Sequence, residues 1–167
     1  MDSTLPGEAT SAAAASRRRR RLTGLIRDGL RDLSIQMALL NHQVGAHLDL
    51  RDADLECLYL IGRFGPIGPT VLARRAGLHP ATLTGVLDRL ERGGWVVRTP
   101  NPTDRRAILV QVIKEREAEV AQMYAGLGHA MDDICAGMAD TDLDLIADFL
   151  VRTARASRTA TDHLAES

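Results

Sequence analysis

A change of hydrophobic period within residues 69–113 constrains this chain more than any other feature. Pro69 and Pro80 each suit the first turn of a helix, where a missing N–H loses no hydrogen bond. Gly77 suits the cap that ends a helix in a left-handed residue. Between Pro80 and Gly93 the apolar positions Leu83, Val86, Leu87 and Leu90 fall on one helical stripe. Past Gly93-Gly94 the period drops from 3.6 to 2, so 95–99 and 107–113 read as two strands. The turn between them, PNPTDRR, carries Arg105 and Arg106 beside Asp104. Two short helices on a tight glycine turn, followed by a hairpin, leave few architectures open.

The flanks are helical. Leu22, Leu25, Ile26, Leu30, Leu33, Met37, Leu40 and Val44 recur at three- and four-residue steps, predicting one long amphipathic helix to about His47. Asp52 or Asp54 suits the cap of a second helix through Leu55, Leu58 and Ile61, stopped by the Gly-Pro-Ile-Gly-Pro punctuation of 65–69. Helical periodicity returns from Lys114 through Met123, Leu127 and Ile134, and a last helix starts near Asp140. Residues 1–16 are small, polar and aperiodic, which predicts a disordered tail. The long terminal helices carry more apolar surface than a three-helix core covers, so a partner subunit is expected to bury it. The fold expected is mainly α with a small β-hairpin wing. A winged helix-turn-helix at 51–113 would sit between dimerisation helices at 17–50 and 114–167.

Composition narrows the function. The 167 residues carry a net charge of −1, but it is unevenly spread. Residues 63–113 hold +5, whereas 22–62 hold −3 and 114–167 hold −6, with +3 in the first 21. A basic middle between acidic flanks gives one surface suited to a polyanion. Aromatics at 3% argue against a stacking platform for single strands. No run of about 18 apolar residues predicts a membrane span. Asp2 and Glu8 precede the arginines of 17–21 and no apolar stretch follows, so no secretory signal is expected. Cys57 and Cys135 form neither a ligand spacing nor a disulfide framework, which points to the cytoplasm and reduced thiols. The five histidines make no i, i+4 pair, so neither metal nor cofactor is expected. The phosphate-loop, nucleophile-elbow and zinc-protease motifs are all missing, and no enzyme activity is expected.

On the fourth helix, the face opposite Leu83 presents Ala81, Gly85, Asp88 and Arg92, with Thr82 and Arg89 at its flank. Small residues allow close approach to base edges, Thr82 can donate to a base or phosphate, and Arg89 can take guanine or a phosphate oxygen. Ordinary solvent-facing residues would look the same, and the wing changes the balance. Its arginines suit a narrow minor groove, with Asp104 fixing an arginine rotamer. The arginines at 17–21 read either as a solvated helix start or as an arm touching phosphates.

The stretch LARRAGLHPATLTGVLDRLERGGWVVRTPNPTDRRAILVQV resembles the winged-helix core of the MarR family of bacterial transcription regulators. The most specific parts are LDRLERGGWVVR and the D-R-R of the wing. The resemblance implies an obligate homodimer with intertwined terminal helices. Each subunit would place a recognition helix in the major groove and a wing in the minor groove of a pseudo-palindromic operator. Half-sites would lie ~34–36 Å apart. Residue by residue, it implies DNA contacts from Thr82, Thr84, Arg89, Arg105 and Arg106, with Asp104 orienting the wing arginines.

Two departures stand out. Gly85 sits where members often carry a polar or basic base-reading side chain, so the helix would read fewer bases and lean on backbone approach. VIKERE replaces a common Leu-Thr pair and alters a helix cap. The resemblance also implies repression relieved by a small aromatic or phenolic effector. Met37, Leu40, Asn41, His42, Leu58 and Tyr59 are the candidate pocket walls, though each reads equally well as a core residue. The alternative is a winged-helix module for protein interaction or dimerisation without specific DNA readout, which Gly85 favours.

Overall fold

The computed structural model describes the backbone of residues 6–104 and 106–165, and the side chains of 12–104 and 106–164. The helices are α1 (Pro6–His47), α2 (Asp52–Phe64), α3 (Pro69–Ala76), α4 (Pro80–Arg92), α5 (Lys114–Ala136) and α6 (Asp140–Ala165). Strands β1 (Val96–Pro100) and β2 (Ile108–Val112) follow α4. The chain forms two compact units, Met1–Glu117 and Ala118–Ser167.

The core of the first unit lies among α2, α3, α4 and the hairpin. Leu55, Leu58, Ile61, Leu72, Leu83, Val86, Leu90, Val96 and Val110 are buried there. These are the apolar stripes expected from the sequence, and their burial is the main favourable term in folding. Gly77 takes φ +63° at the end of α3, and its N–H reaches the carbonyls of Ala73 and Arg74. Glycine adopts this left-handed cap without steric penalty, so α4 can start three residues later. His79 caps α4 by accepting the Ala81 N–H on its ring nitrogen, at 3.3 Å. The hairpin pairs Val96 with Val112, Arg98 with Val110 and Pro100 with Ile108 in antiparallel register.

The α1–α2 turn depends on another glycine. A Cβ on Gly45 would lie 2.8 Å from the Leu50 carbonyl oxygen. That close approach lets the Leu50 N–H donate to the Gly45 carbonyl at 2.8 Å.

The structure differs from the sequence reading in three places. The α1 helix begins at Pro6, upstream of the expected start, because the alanines at 12–15 favour helix even without packing. The rest of the expected tail, residues 1–5, lies outside the described residues. The cap of α2 is Arg51, in extended conformation, with no side-chain cap bond. Asp52 is already helical and Asp54 turns inward, 2% exposed, for the reason given below. Finally, Ile67 in the α2–α3 linker bridges Val110 of β2 through both backbone bonds, at 3.0 and 2.9 Å. The linker thereby ties the wing to the helices.

Candidate nucleic-acid interface

Helix α4 presents Ala81, Thr82 and Thr84 to solvent, with Gly85 half-exposed behind them. The Thr84 hydroxyl donates to the Pro80 carbonyl at 3.0 Å, one turn back on its own helix. Its proton is therefore engaged, and its oxygen can still accept. A Cβ at Gly85 would lie 3.6 Å from Arg89 Nη1. The missing side chain leaves that nitrogen uncovered toward the outer side of the helix.

Arg89 is placed differently from the expectation. Its Nε donates to Asp54 Oδ2 at 3.0 Å and its Nη2 to Asp54 Oδ1 at 2.5 Å. This bidentate geometry accounts for the inward turn of Asp54, since a carboxylate is buried at acceptable cost only when charge and hydrogen bonds compensate it. Donating to Asp54 raises the guanidinium above its ordinary pKa. Two of the three nitrogens thus join α4 to α2, and Nη1 alone remains beside Gly85. Asp88, expected on the outer face, pairs with Arg98 of β1 at 2.6 Å, and Arg98 also reaches Glu91 at 3.0 Å. These bridges fix the hairpin against α4.

In the wing, Asp104 Oδ1 accepts the Arg106 backbone N–H at 3.0 Å, and the Ala107 N–H donates to the Asp104 carbonyl at 2.9 Å. Among the described residues Asp104 fixes the wing backbone, and the Arg106 guanidinium is exposed without a carboxylate partner. Arg105 lies outside the described residues. Asn101 Oδ1 accepts from the Thr103 N–H and hydroxyl, at 3.0 and 2.8 Å, ordering the other side of the turn.

Sequence reasoning passed over Arg116, within VIKERE. Its guanidinium stacks on Trp95 at 4.4 Å from the ring centroid and donates to the Gly93 and Gly94 carbonyls at 3.4 Å. A cation there complements the negative end of α4. A basic residue four positions past a strand end is too common to have singled it out.

The candidate pocket walls divide between core and surface. Leu58 is buried, whereas its neighbour Tyr59 is exposed and its hydroxyl accepts from Arg63 at 3.4 Å. His42 Nδ1 lies 3.1 Å from Asp52 Oδ1 at the surface. Met37 and Leu40 are half-buried, and Asn41 is exposed.

Cys57 has no solvent exposure, and its thiol is pushed up to about 11 by burial first and by the charges of Glu56 and Asp54 next. Because the thiolate is the reactive form, the native thiol is expected to resist disulfide-exchange reagents at pH 8. Rapid labelling of Cys57 in the folded protein would contradict this burial. A folded value raised above the unfolded one stabilises fully below about 9, and this is lost as pH rises towards 11. Stability to urea is therefore expected to fall across that window, by roughly 2–3 kcal/mol from this group.

A glycine-capped helix pair joined to a charge-anchored hairpin defines a winged helix-turn-helix. The MarR family model matches residues 50–108. YcgE, an uncharacterized HTH-type transcriptional regulator of Bacillus subtilis, is 26% identical over 124 residues, covering 74% of this chain and 80% of that protein. The HTH-type transcriptional repressor YetL, also of Bacillus subtilis, is 31% identical over 84 residues, half of each chain. Among solved structures, NadR in complex with 4-hydroxyphenylacetate matches with a TM-score of 0.59 at 23% identity, covering 77% of this chain and 92% of that one. Over its winged-helix segment, residues 50–108, the chain is thus similar to the MarR family of regulators.

Proposed function

We propose that the protein is a homodimeric, sequence-specific repressor that binds a pseudo-palindromic operator in double-stranded DNA. The reading rests on one juxtaposition: α4 offers a small-residue outer face beside a wing whose Arg106 is exposed and uncompensated. Thr82, Thr84, Gly85 and the free edge of Arg89 would meet the major groove, and Arg105 and Arg106 the minor groove, with Asp104 shaping the wing. Residues 51–113 would form the DNA-binding domain, with 17–50 and 114–167 supplying the dimer interface. The exposed apolar residues of α1 and α6 support that assignment. No helix of the described residues is long and apolar enough to cross a membrane, consistent with action in the cytoplasm. The name of YetL supports repression, and the complex of NadR supports a small aromatic acid as effector.

The test is a titration against the DNA upstream of the protein's own gene, beside a random duplex of equal length, at two salt concentrations. A salt-steep preference for the upstream fragment is expected. Equal affinity for both would favour the second reading, an interaction module, to which the missing side chain at Gly85 lends support. Arg106→Ala is expected to weaken binding to the preferred fragment by ~1–3 kcal/mol. Unchanged affinity would remove the wing from the contact.

A further inference from the structure

Packing orders arginines of the winged domain in two ways. Arg89 is neutralised by Asp54, and Arg98 by Asp88 and Glu91. Two other arginines are ordered by a ring instead. Phe64, the last residue of α2, has the Arg75 guanidinium of α3 at 4.0 Å from its centroid and that of Arg63 at 5.5 Å. Neither has a carboxylate partner among the described residues, and Arg63 donates only to the Tyr59 hydroxyl. Arg74, exposed beside Arg75, adds a third positive charge.

A carboxylate orders an arginine by cancelling its charge. An aromatic face orders it while leaving the charge and the edge N–H donors available. Two like charges on one ring repel, and an anion drawn to their edges relieves that repulsion. The location suits a polyanion, because α3 is the first helix of the pair and in such domains that helix crosses the DNA backbone.

We propose that the Arg63–Phe64–Arg75 stack is a phosphate-binding site for the backbone of duplex DNA, distinct from α4 and the wing. It holds the domain in register on the duplex without reading bases. The proposal rests on the reading of this domain as a duplex binder.

The test uses the full chain carrying Arg63→Gln with Arg75→Gln, titrated across salt against the upstream fragment and a random duplex. The log–log salt slope is expected to fall by ~1–2, at about 0.9 per phosphate. Affinity for both duplexes should drop together, leaving their ratio unchanged. Both side chains lie at the surface, and fluorescence of the buried Trp95 reports that the core is intact. Phe64→Leu, which keeps both charges, is expected to weaken binding with most of the slope retained. An unchanged slope in the double variant, beside a salt-steep wild type, overturns the site. A changed ratio overturns its independence from sequence. A wild type without salt-dependent duplex binding overturns the underlying DNA reading as well.

Discussion

Replacing Arg89 with alanine is expected to lower the unfolding free energy by about 3 kcal/mol, because it strands a carboxylate inside the core. Asp54 is 2% exposed, and both its oxygens are met by Arg89 nitrogens. Arg89 itself is one-third exposed, which places the expected loss at the lower end of the range for broken buried pairs. The converse variant, Asp54→Asn, should cost less, since water can reach the arginine left behind. Removing both charges with Arg89→Met and Asp54→Leu is expected to recover much of the loss, since no charge then remains buried. Urea midpoints at fixed protein concentration would read all three changes. A loss below about 1 kcal/mol in Arg89→Ala would mean that water reaches Asp54, and that the bridge is incidental to the fold.

The second large effect concerns assembly. On α1, Leu25 is 57% exposed and Ile26 46%, and on α6, Leu145 is 68% exposed. In a folded protein a helix draws most of its stability from packing its apolar face, and α1 is 42 residues long. Leu25→Glu and Leu145→Glu each place a charge in the surface that the proposed homodimer would bury. Each is expected to shift the protein from dimer to monomer at micromolar concentration, read by light scattering. Affinity for a two-half-site operator should then fall about 100-fold or more, because linked binding of two subunits is lost. A dimer that persists in both variants would assign these stripes to another role. Emission from Trp95, the single tryptophan, separates dissociation from unfolding of the winged core.

Much of the architecture was legible because its signals are local. Pro69, Gly77, His79-Pro80 and Gly93-Gly94 each act within a residue or two of the boundary they set. The change of period at Trp95 marked the hairpin to within a residue at each end. The start of α1 was misjudged because its alanine-rich part carries no apolar stripe, and periodicity is blind to helix held by propensity alone. The cap of α2 was misjudged because Asp52 and Asp54 both carry cap chemistry, whereas Arg51 holds the cap position and a partner 35 residues away draws Asp54 inward. The back-bonded hydroxyl of Thr84 follows a local i−4 pattern and could have been foreseen.

The site divides in the same way. Sequence by itself determined which residues could stand on the outer face of α4 and at the tip of the wing, since helical and strand periods fix facing directions. It also determined that the middle of the chain carries surplus positive charge. Only the tertiary structure decided which of those charges remain to meet a polyanion. Asp54, Asp88 and Glu91 neutralise Arg89 and Arg98, whereas Phe64 holds Arg63 and Arg75 without cancelling them. The physical reason is distance: an ion pair or a ring stack forms only where packing brings its members within a few ångströms, and packing joins Arg89 to Asp54 across 35 positions of sequence.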